Sequence, residues 1–203
     1  LTLNQMTLVK SYIYKNDSLE NLNEPKSNET LELLKLATLC CDGSISIENE
    51  KVIHMGDPTE TAIVYEAYKN NLIKEELNEK YPRIGEIPFD SDRKLMTSIN
   101  RIDGKNIVIV KGAIDSIETR CNKIDFAPIK KANLEMSEHA LRVLAVAIKE
   151  IDEVPEELNS KEIENNLTFV GLLGMIDPPR EEAKEAVRVC KKAGIKPIMI
   201  TGD

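Results

Sequence analysis

A chain of 203 residues with 41% hydrophobic content can bury one good core, or one core plus a fragment of a second unit. Its net charge of −8 supplies no basic stripe to attract a phosphate backbone, which argues against nucleic acid as a partner. No apolar run reaches the roughly 18–20 residues that span a bilayer and no charged-then-apolar leader opens the chain, so the sequence as given reads as soluble. Cys40, Cys41, Cys121 and Cys190 lack C-x-x-C spacing and lie mostly in apolar stretches, the usage of reduced, buried thiols in a cytoplasm. With only His54 and His139 to add, far apart, a zinc site has too few ligands. The opening on Leu1 and the stop at Thr201-Gly202-Asp203, where a functional loop is expected after a strand, read as an excised piece.

Residues 14–30 are polar and read as a loop, followed by a helical segment carrying Leu31, Leu34, Leu36 and Leu39 and ending near Cys41-Asp42-Gly43. The next helix has the best-specified start in the chain: Asp57 as N-cap, Pro58 in the first helical position and Glu60 three residues on, with Val64, Tyr68 and Leu72 expected on its buried side. From Ile87 the pattern becomes that of a β-meander: a strand ending at Pro88-Phe89, a polar turn, then strands 93–100 and 106–111 joined around Asp103-Gly104. Symmetric pairing about that turn sets Lys111 opposite Met96, and the two-residue strand period then places Lys94 on the face of Lys111, beside Phe89.

A helix over 133–141 feeds a strand at 143–148, and the acidic stretch 150–166 reads as a surface loop. A boundary is expected there. The apolar run 167–175, Asp177-Pro178-Pro179-Arg180, an amphipathic helix with Ala183, Val187 and Cys190, and the run 195–200 then read as a βαβ unit of a parallel sheet. A right-handed crossover gathers Asp177 and Thr201-Gly202-Asp203 at one sheet edge, where α/β folds bind ligands.

Each candidate site residue also has a plainer reading. Phe89 heads the turn Phe89-Asp90-Ser91-Asp92-Arg93-Lys94, where an aromatic at a sheet rim can stack a base; as one of three phenylalanines it can equally be core. Lys111-Gly112-Ala113 offers a cation and a close backbone approach, or a solvated lysine before a turn. Glu60 can accept from an exocyclic amine or close a capping box. Arg142, inside the apolar run 141–148, needs an anionic partner, either a phosphate or a local carboxylate. Asp177 with Thr201, Gly202 and Asp203 supplies a hydroxyl, backbone N–H groups and carboxylates of the kind phosphoryl transfer uses, although no nucleophilic carboxylate is evident at the start of the chain.

In sequence order these pieces resemble P-type ATPases, above all the branch of the calcium and sodium/potassium pumps, over nearly the whole chain. Leu1-Thr2-Leu3-Asn4-Gln5-Met6-Thr7 is similar to the residues that follow the family's phosphorylation signature, which implies a phosphorylated aspartate just upstream. Gly56-Asp57-Pro58-Thr59-Glu60 resembles the helix start whose glutamate contacts adenine, and Phe89 to Lys94 the turn whose phenylalanine stacks adenine with the lysine beside the nucleotide. Lys111-Gly112-Ala113 resembles the motif lining the same pocket, and Leu141-Arg142-Val143-Leu144-Ala145 the segment whose arginine reaches the ATP phosphates. Asp177-Pro178-Pro179-Arg180 and Thr201-Gly202-Asp203 look like loops of the phosphorylation domain. Ser91 and Ala140 stand where several relatives carry arginine and glycine.

The resemblance implies an antiparallel sheet flanked by helices, the nucleotide-binding domain, with a partial haloacid-dehalogenase-like parallel α/β fragment. The implied division is 1–8 and 167–203 to the phosphorylation domain and 9–166 to nucleotide binding. It implies ATP as ligand, Mg2+ in the intact protein, no metal ligands in this piece, and Glu60, Phe89, Lys94, Lys111, Gly112 and Arg142 as the ATP contacts. The intact pump would sit in a membrane with this piece on its cytoplasmic face, beside phosphorylation, actuator and transmembrane domains of the same polypeptide. Calcium is the first choice of ion, since the heavy-metal branch carries a histidine-proline pair and neither His54 nor His139 precedes proline. The piece alone is expected to bind ATP without turnover. Two other classes compete: a soluble haloacid-dehalogenase-type phosphatase with a large cap, and a non-catalytic interaction domain.

Overall fold

The computed structural model describes residues 5–49, 51–178, 180–198 and 200. Strand β1 (Thr7–Ile13) turns through a short 3-10 segment into β2 (Ser18–Asn21), so the expected loop at 14–30 holds an edge strand. Helix α1 (Asn28–Leu39) follows, started by Ser27, whose hydroxyl accepts from the Thr30 N–H. A separate hairpin, β3 (Ser44–Glu48) and β4 (Lys51–Met55), leads to α2 (Pro58–Lys69) and α3 (Lys74–Lys80). The meander β5 (Arg83–Asp90), β6 (Leu95–Ile102) and β7 (Lys105–Gly112) comes next, then α4 (Ile114–Glu118) and α5 (Ala127–Glu138). The chain continues through β8 (Arg142–Ile151), α6 (Ser160–Ile163), β9 (Thr168–Ile176) and α7 (Glu181–Lys192).

Seven strands form one sheet in the order β2-β1-β9-β8-β7-β6-β5, with every neighbouring pair antiparallel. The β6–β7 hairpin turns where the sequence directs it: Asp103 and Gly104 both take positive φ, as a two-residue turn matched to strand twist requires, and Met96 lies opposite Lys111. Because side chains alternate across the sheet, Met96, Ile109, Val146 and Leu173 face α1 and α2, packing with Leu33, Leu34, Ala37 and Ile63. Their neighbours Leu95, Val110, Ala145 and Leu172 face the other way, onto Ile117, Ile129 and Met136 of α4 and α5. The central strands are therefore covered on both faces, and each fully buried Leu or Ile contributes about 1.5–3 kcal/mol.

Residues 168–176 are not the first strand of a parallel βαβ unit; they are β9, antiparallel to both β1 and β8 in the middle of the sheet. A strand buried on both faces carries the same near-continuous apolar run in either setting, so the pattern could not separate them. Residues 195–198 form no strand, and Thr201, Gly202 and Asp203 lie outside the described residues. The seven-strand sheet thus takes in residues on both sides of the expected 8/9 and 166/167 divisions. Since Thr7 pairs with Ile176 and the Gln5 N–H donates to Asp177 Oδ1 at 3.1 Å, the sheet's first and last segments leave it side by side.

Smaller departures have local causes. The helix expected at 133–141 runs from Ala127 to Glu138: Pro128 sits in its first turn, and Ala140 ends it with φ 58°, letting the Leu141 N–H reach back to the Met136 carbonyl. Tyr68, expected inside, is exposed, and Leu72 packs on the core from beyond the end of α2. Cys40 and Cys41 are buried thiols, while Cys121 and Cys190 are half-buried and also free.

Candidate functional site

Helix α2 supplies the first wall of a cavity of about 510 Å³. Asp57 caps it as the sequence directs, its Oδ1 accepting from the N–H groups of Thr59 at 2.8 Å and Glu60 at 3.3 Å. Glu60 does not close a capping box; its carboxylate reaches across the cavity floor instead. Oε2 accepts from the N–H groups of Asp42 and Gly43, both at 2.8 Å, and Oε1 accepts from Lys111 Nζ at 2.7 Å.

Lys111 reaches this point because β7 carries it on the α1–α2 face of the sheet, in register with Met96. Its side chain is only 5% exposed and also lies 3.3 Å from Cys41 Sγ. Burial alone opposes the charge, but the adjacent sulfurs of Cys41 and Cys40 and, at neutral pH above all, the Glu60 carboxylate hold the ammonium above the ordinary lysine value. Cys41 itself is pushed up to about 11 by burial, so it stays a thiol. Lys111 is thus neither solvated nor a turn residue; it is a buried, paired cation.

The second wall, Asp42-Gly43, is fastened from behind. Arg83 donates to the carbonyls of Leu39 at 2.8 Å and Cys41 at 2.9 Å and to Asp42 Oδ1 at 2.6 Å, while Lys74 donates to the Gly43 carbonyl at 2.6 Å. Burial holds Lys74 below its ordinary pKa. Gly43 meets Gly56 there: a Cβ on Gly56, where φ is 111°, would stand 2.9 Å from Gly43 Cα, so this close approach needs a glycine at 56, while a Cβ on Gly43 would crowd Glu60 and Thr61 at 3.1 Å. On the third side Gly112 packs against the β5–β6 turn so closely that a Cβ would fall 2.1 Å from the Lys94 carbonyl.

Phe89 lines the cavity from the end of β5 and is 63% exposed, which excludes the core reading and leaves its ring face available. Arg142 lines the opposite side; it is exposed and its Nη1 donates to Thr59 Oγ1 at 3.3 Å. The cavity therefore combines an exposed aromatic, a buried lysine–glutamate pair and an exposed guanidinium, a set that suits a flat heterocycle carrying an anionic tail.

Five of the six expected contact residues, Glu60, Phe89, Lys111, Gly112 and Arg142, line this one cavity. Lys94 does not: the strand begins at Leu95, and Lys94 sits in the turn with φ 57° and an exposed side chain, so the alternation drawn through it does not hold. Asp42, Gly43, Gly56, Thr59, Met96 and Leu144 also line the cavity and were not singled out as contacts. Gly56 and Thr59 lay within a motif already noted, but nothing in the chain order brings Asp42-Gly43 to them. Among the described residues, no group of three or more His, Cys, Asp or Glu side chains is placed to hold a metal ion, and no helix is long and apolar enough to cross a membrane.

Residues 29–182 match the family described as P-type ATPase, cytoplasmic domain N. The chain belongs to that P-type ATPase family. Over its whole length it is 40% identical to Calcium-transporting ATPase 1 of Lactococcus lactis and 40% identical to Calcium-transporting ATPase 1 of Bacillus cereus. It is 38% identical to a calcium-transporting ATPase of Listeria monocytogenes, again along its whole length. In each case it covers 24% of the relative, so the chain spans about a quarter of the proteins it matches. For a P-type ATPase domain N, the seven-strand antiparallel sheet with helices on both faces is the expected architecture, and the separate phosphatase reading falls away.

Proposed function

We propose that this domain binds ATP in the cavity between α2 and the β5–β7 meander and presents the γ-phosphate to an aspartate that precedes residue 1 in the intact pump. Adenine lies against Phe89, over the floor made by the Glu60–Lys111 pair, and Gly112 allows the backbone close approach. Arg142 takes the phosphates. The observation that carries this reading is the convergence of Glu60, Phe89, Lys111, Gly112 and Arg142, from four separate segments, on one cavity.

Strand order supports one direction for the bound nucleotide. Arg142 lies opposite Met175 on the neighbouring strand, and Met175 pairs in turn with Leu8, so the cavity's exposed cation is near the place where β1 and β9 meet their outer connections. In this reading, phosphates held there point toward the upstream aspartate. Asp177 and Arg180, with Thr201, Gly202 and Asp203, belong in this reading to the phosphorylation domain that adjoins the sheet at that point. Mg2+ enters this reading as the companion of the ATP phosphates in the intact protein. The intact protein is read as a membrane pump that couples ATP hydrolysis to cation movement, with calcium the first choice of ion because the relatives above carry that name.

Calorimetric titration of ATP into the wild-type chain and into Phe89→Ala tests the assignment. One base stacked on an aromatic is worth about 1–3 kcal/mol, so a loss of roughly 5-fold to 150-fold in affinity is expected. Equal affinity in the two proteins would remove adenine from Phe89.

A further inference from the structure

Glu164 was read as part of an acidic surface loop, yet its side chain is fully buried. Its Oε1 accepts from Arg93 Nη1 and from Thr97 Oγ1, the latter at 2.6 Å, and Arg120 Nε stands 3.6 Å from Oε2. Oε2 has no hydrogen-bond partner among the described residues. A carboxylate so placed is costly unless its neighbours require it, and an exposed ion pair a few residues away would cost far less. What the neighbours require is visible on the other end of Arg93: its Nη2 donates to the carbonyl of Pro88 at 2.6 Å.

Pro88 and Phe89 sit where the β5–β6 ladder breaks. Ile87 pairs with Thr97 and Asp90 with Leu95, with a register shift between Ile87 and Asp90. Proline also has no N–H to give a ladder. The residues that carry the exposed ring of Phe89 thus lack regular strand pairing, and the Arg93 guanidinium bridges that gap by linking the Pro88 carbonyl to a buried anion. Thr97, on the same carboxylate, is the cross-strand neighbour of Ile87, so Glu164 braces both sides of the irregularity.

We propose that Glu164 is a positioning residue for the nucleotide pocket, acting through Arg93 to hold Phe89 at the cavity rim from the opposite side of the sheet. Its effect on ATP rests on the nucleotide reading above; its effect on Phe89 does not. A planar guanidinium spans carboxylate and carbonyl at once, which a lysine ammonium in its place does not reproduce, so Arg93→Lys preserves the charge beside Glu164 while releasing the Pro88 carbonyl.

The test uses Glu164→Gln and Arg93→Lys, each confirmed folded by circular dichroism, so that failure of one to fold leaves the other. The chain contains no tryptophan, and Phe89→Trp therefore introduces a single indole whose emission anisotropy and quenching by acrylamide report on the turn. Added to this reporter, either substitution is expected to lower the anisotropy and increase quenching, whether or not nucleotide binds. In the native Phe89 background, ATP affinity should fall about tenfold, part of one base's stacking contribution, while affinity for inorganic tripolyphosphate, which has no base, stays within about twofold. In a Phe89→Ala background the same substitutions should weaken ATP no further. An unchanged indole in folded variants overturns the proposal, as does an equal weakening of ATP and tripolyphosphate. Absence of ATP binding to the wild type would instead sink the nucleotide reading, and the indole would still decide the role of Glu164.

Discussion

Replacing Glu60 by alanine removes three contacts at once, and their sizes can be worked from the geometry. Lys111, 5% exposed, would keep its charge beside only the Cys41 sulfur, and breaking one partner of such a buried pair costs about 3–5 kcal/mol. An upper limit comes from neutralising the lysine instead: bringing its pKa from the ordinary 10.5 to about 7 costs roughly 5 kcal/mol. The N–H of buried Gly43 is left without its acceptor, which adds about 1–3 kcal/mol, while the exposed Asp42 N–H is regained by water. Because Glu60 itself is 14% exposed, some water relieves the lysine, and a net loss of about 3 kcal/mol is predicted. Glu60→Gln, whose one carbonyl oxygen can serve the two N–H groups but whose NH2 group cannot accept from the ammonium, should recover no more than the backbone part of that loss, about 1 kcal/mol. Urea unfolding at neutral pH measures both as shifts of midpoint at constant slope. A loss below about 1 kcal/mol for Glu60→Ala would mean that the pair is solvated and does not build the cavity floor.

Gly112→Ala drives a Cβ to 2.1 Å from the Lys94 carbonyl, so the β5–β6 turn must shift; a loss of about 2–4 kcal/mol is expected in the same assay. Ala140→Gly should act in the other direction. Its φ of 58° strains alanine by roughly 1–2 kcal/mol, and after glycine's extra backbone entropy a gain of about 0.5–1 kcal/mol remains. Cys121 carries a pH dependence: burial raises its pKa from 9.0 to about 12, so the fold favours the neutral thiol. That contribution is complete below pH 9.0 and is lost as pH rises toward about 12, so wild type should lose stability faster than Cys121→Ala between about pH 8 and 10.5. Parallel curves over that range would show that the thiol is as hydrated folded as unfolded.

The parts of the fold visible in the sequence are those where a local rule has a single solution. Asp57-Pro58 specifies a helix start by capping and by proline's fixed φ, and Asp103-Gly104 specifies a tight hairpin whose register then places Lys111 opposite Met96. Where two structures share one pattern, the sequence did not separate them. The run 167–175 suits a parallel strand or a central antiparallel one, and only the pairing of β9 with β1 and β8 decides. Lys94 was misplaced because alternation was extended one residue past the strand, into a turn whose positive φ redirects the side chain. The Asp42-Gly43 wall and Glu164 could not be read at all: each depends on contacts between segments tens of residues apart, through Arg83 and Lys74 in one case and Arg93 in the other. The charge of Glu164 even pointed the wrong way, since an acidic stretch ordinarily lies in solvent.

In the proposed reading, one cavity holds adenine at Phe89 and phosphates at Arg142. The most direct measurement is a titration of the isotopically labelled chain with ATP, following backbone amide shifts. Saturable shifts are expected at Gly43, Glu60, Phe89, Lys111 and Arg142, with tripolyphosphate moving Arg142 but leaving Phe89 in place. Shifts confined to other surfaces, or none up to several millimolar ATP on the folded chain, would contradict it.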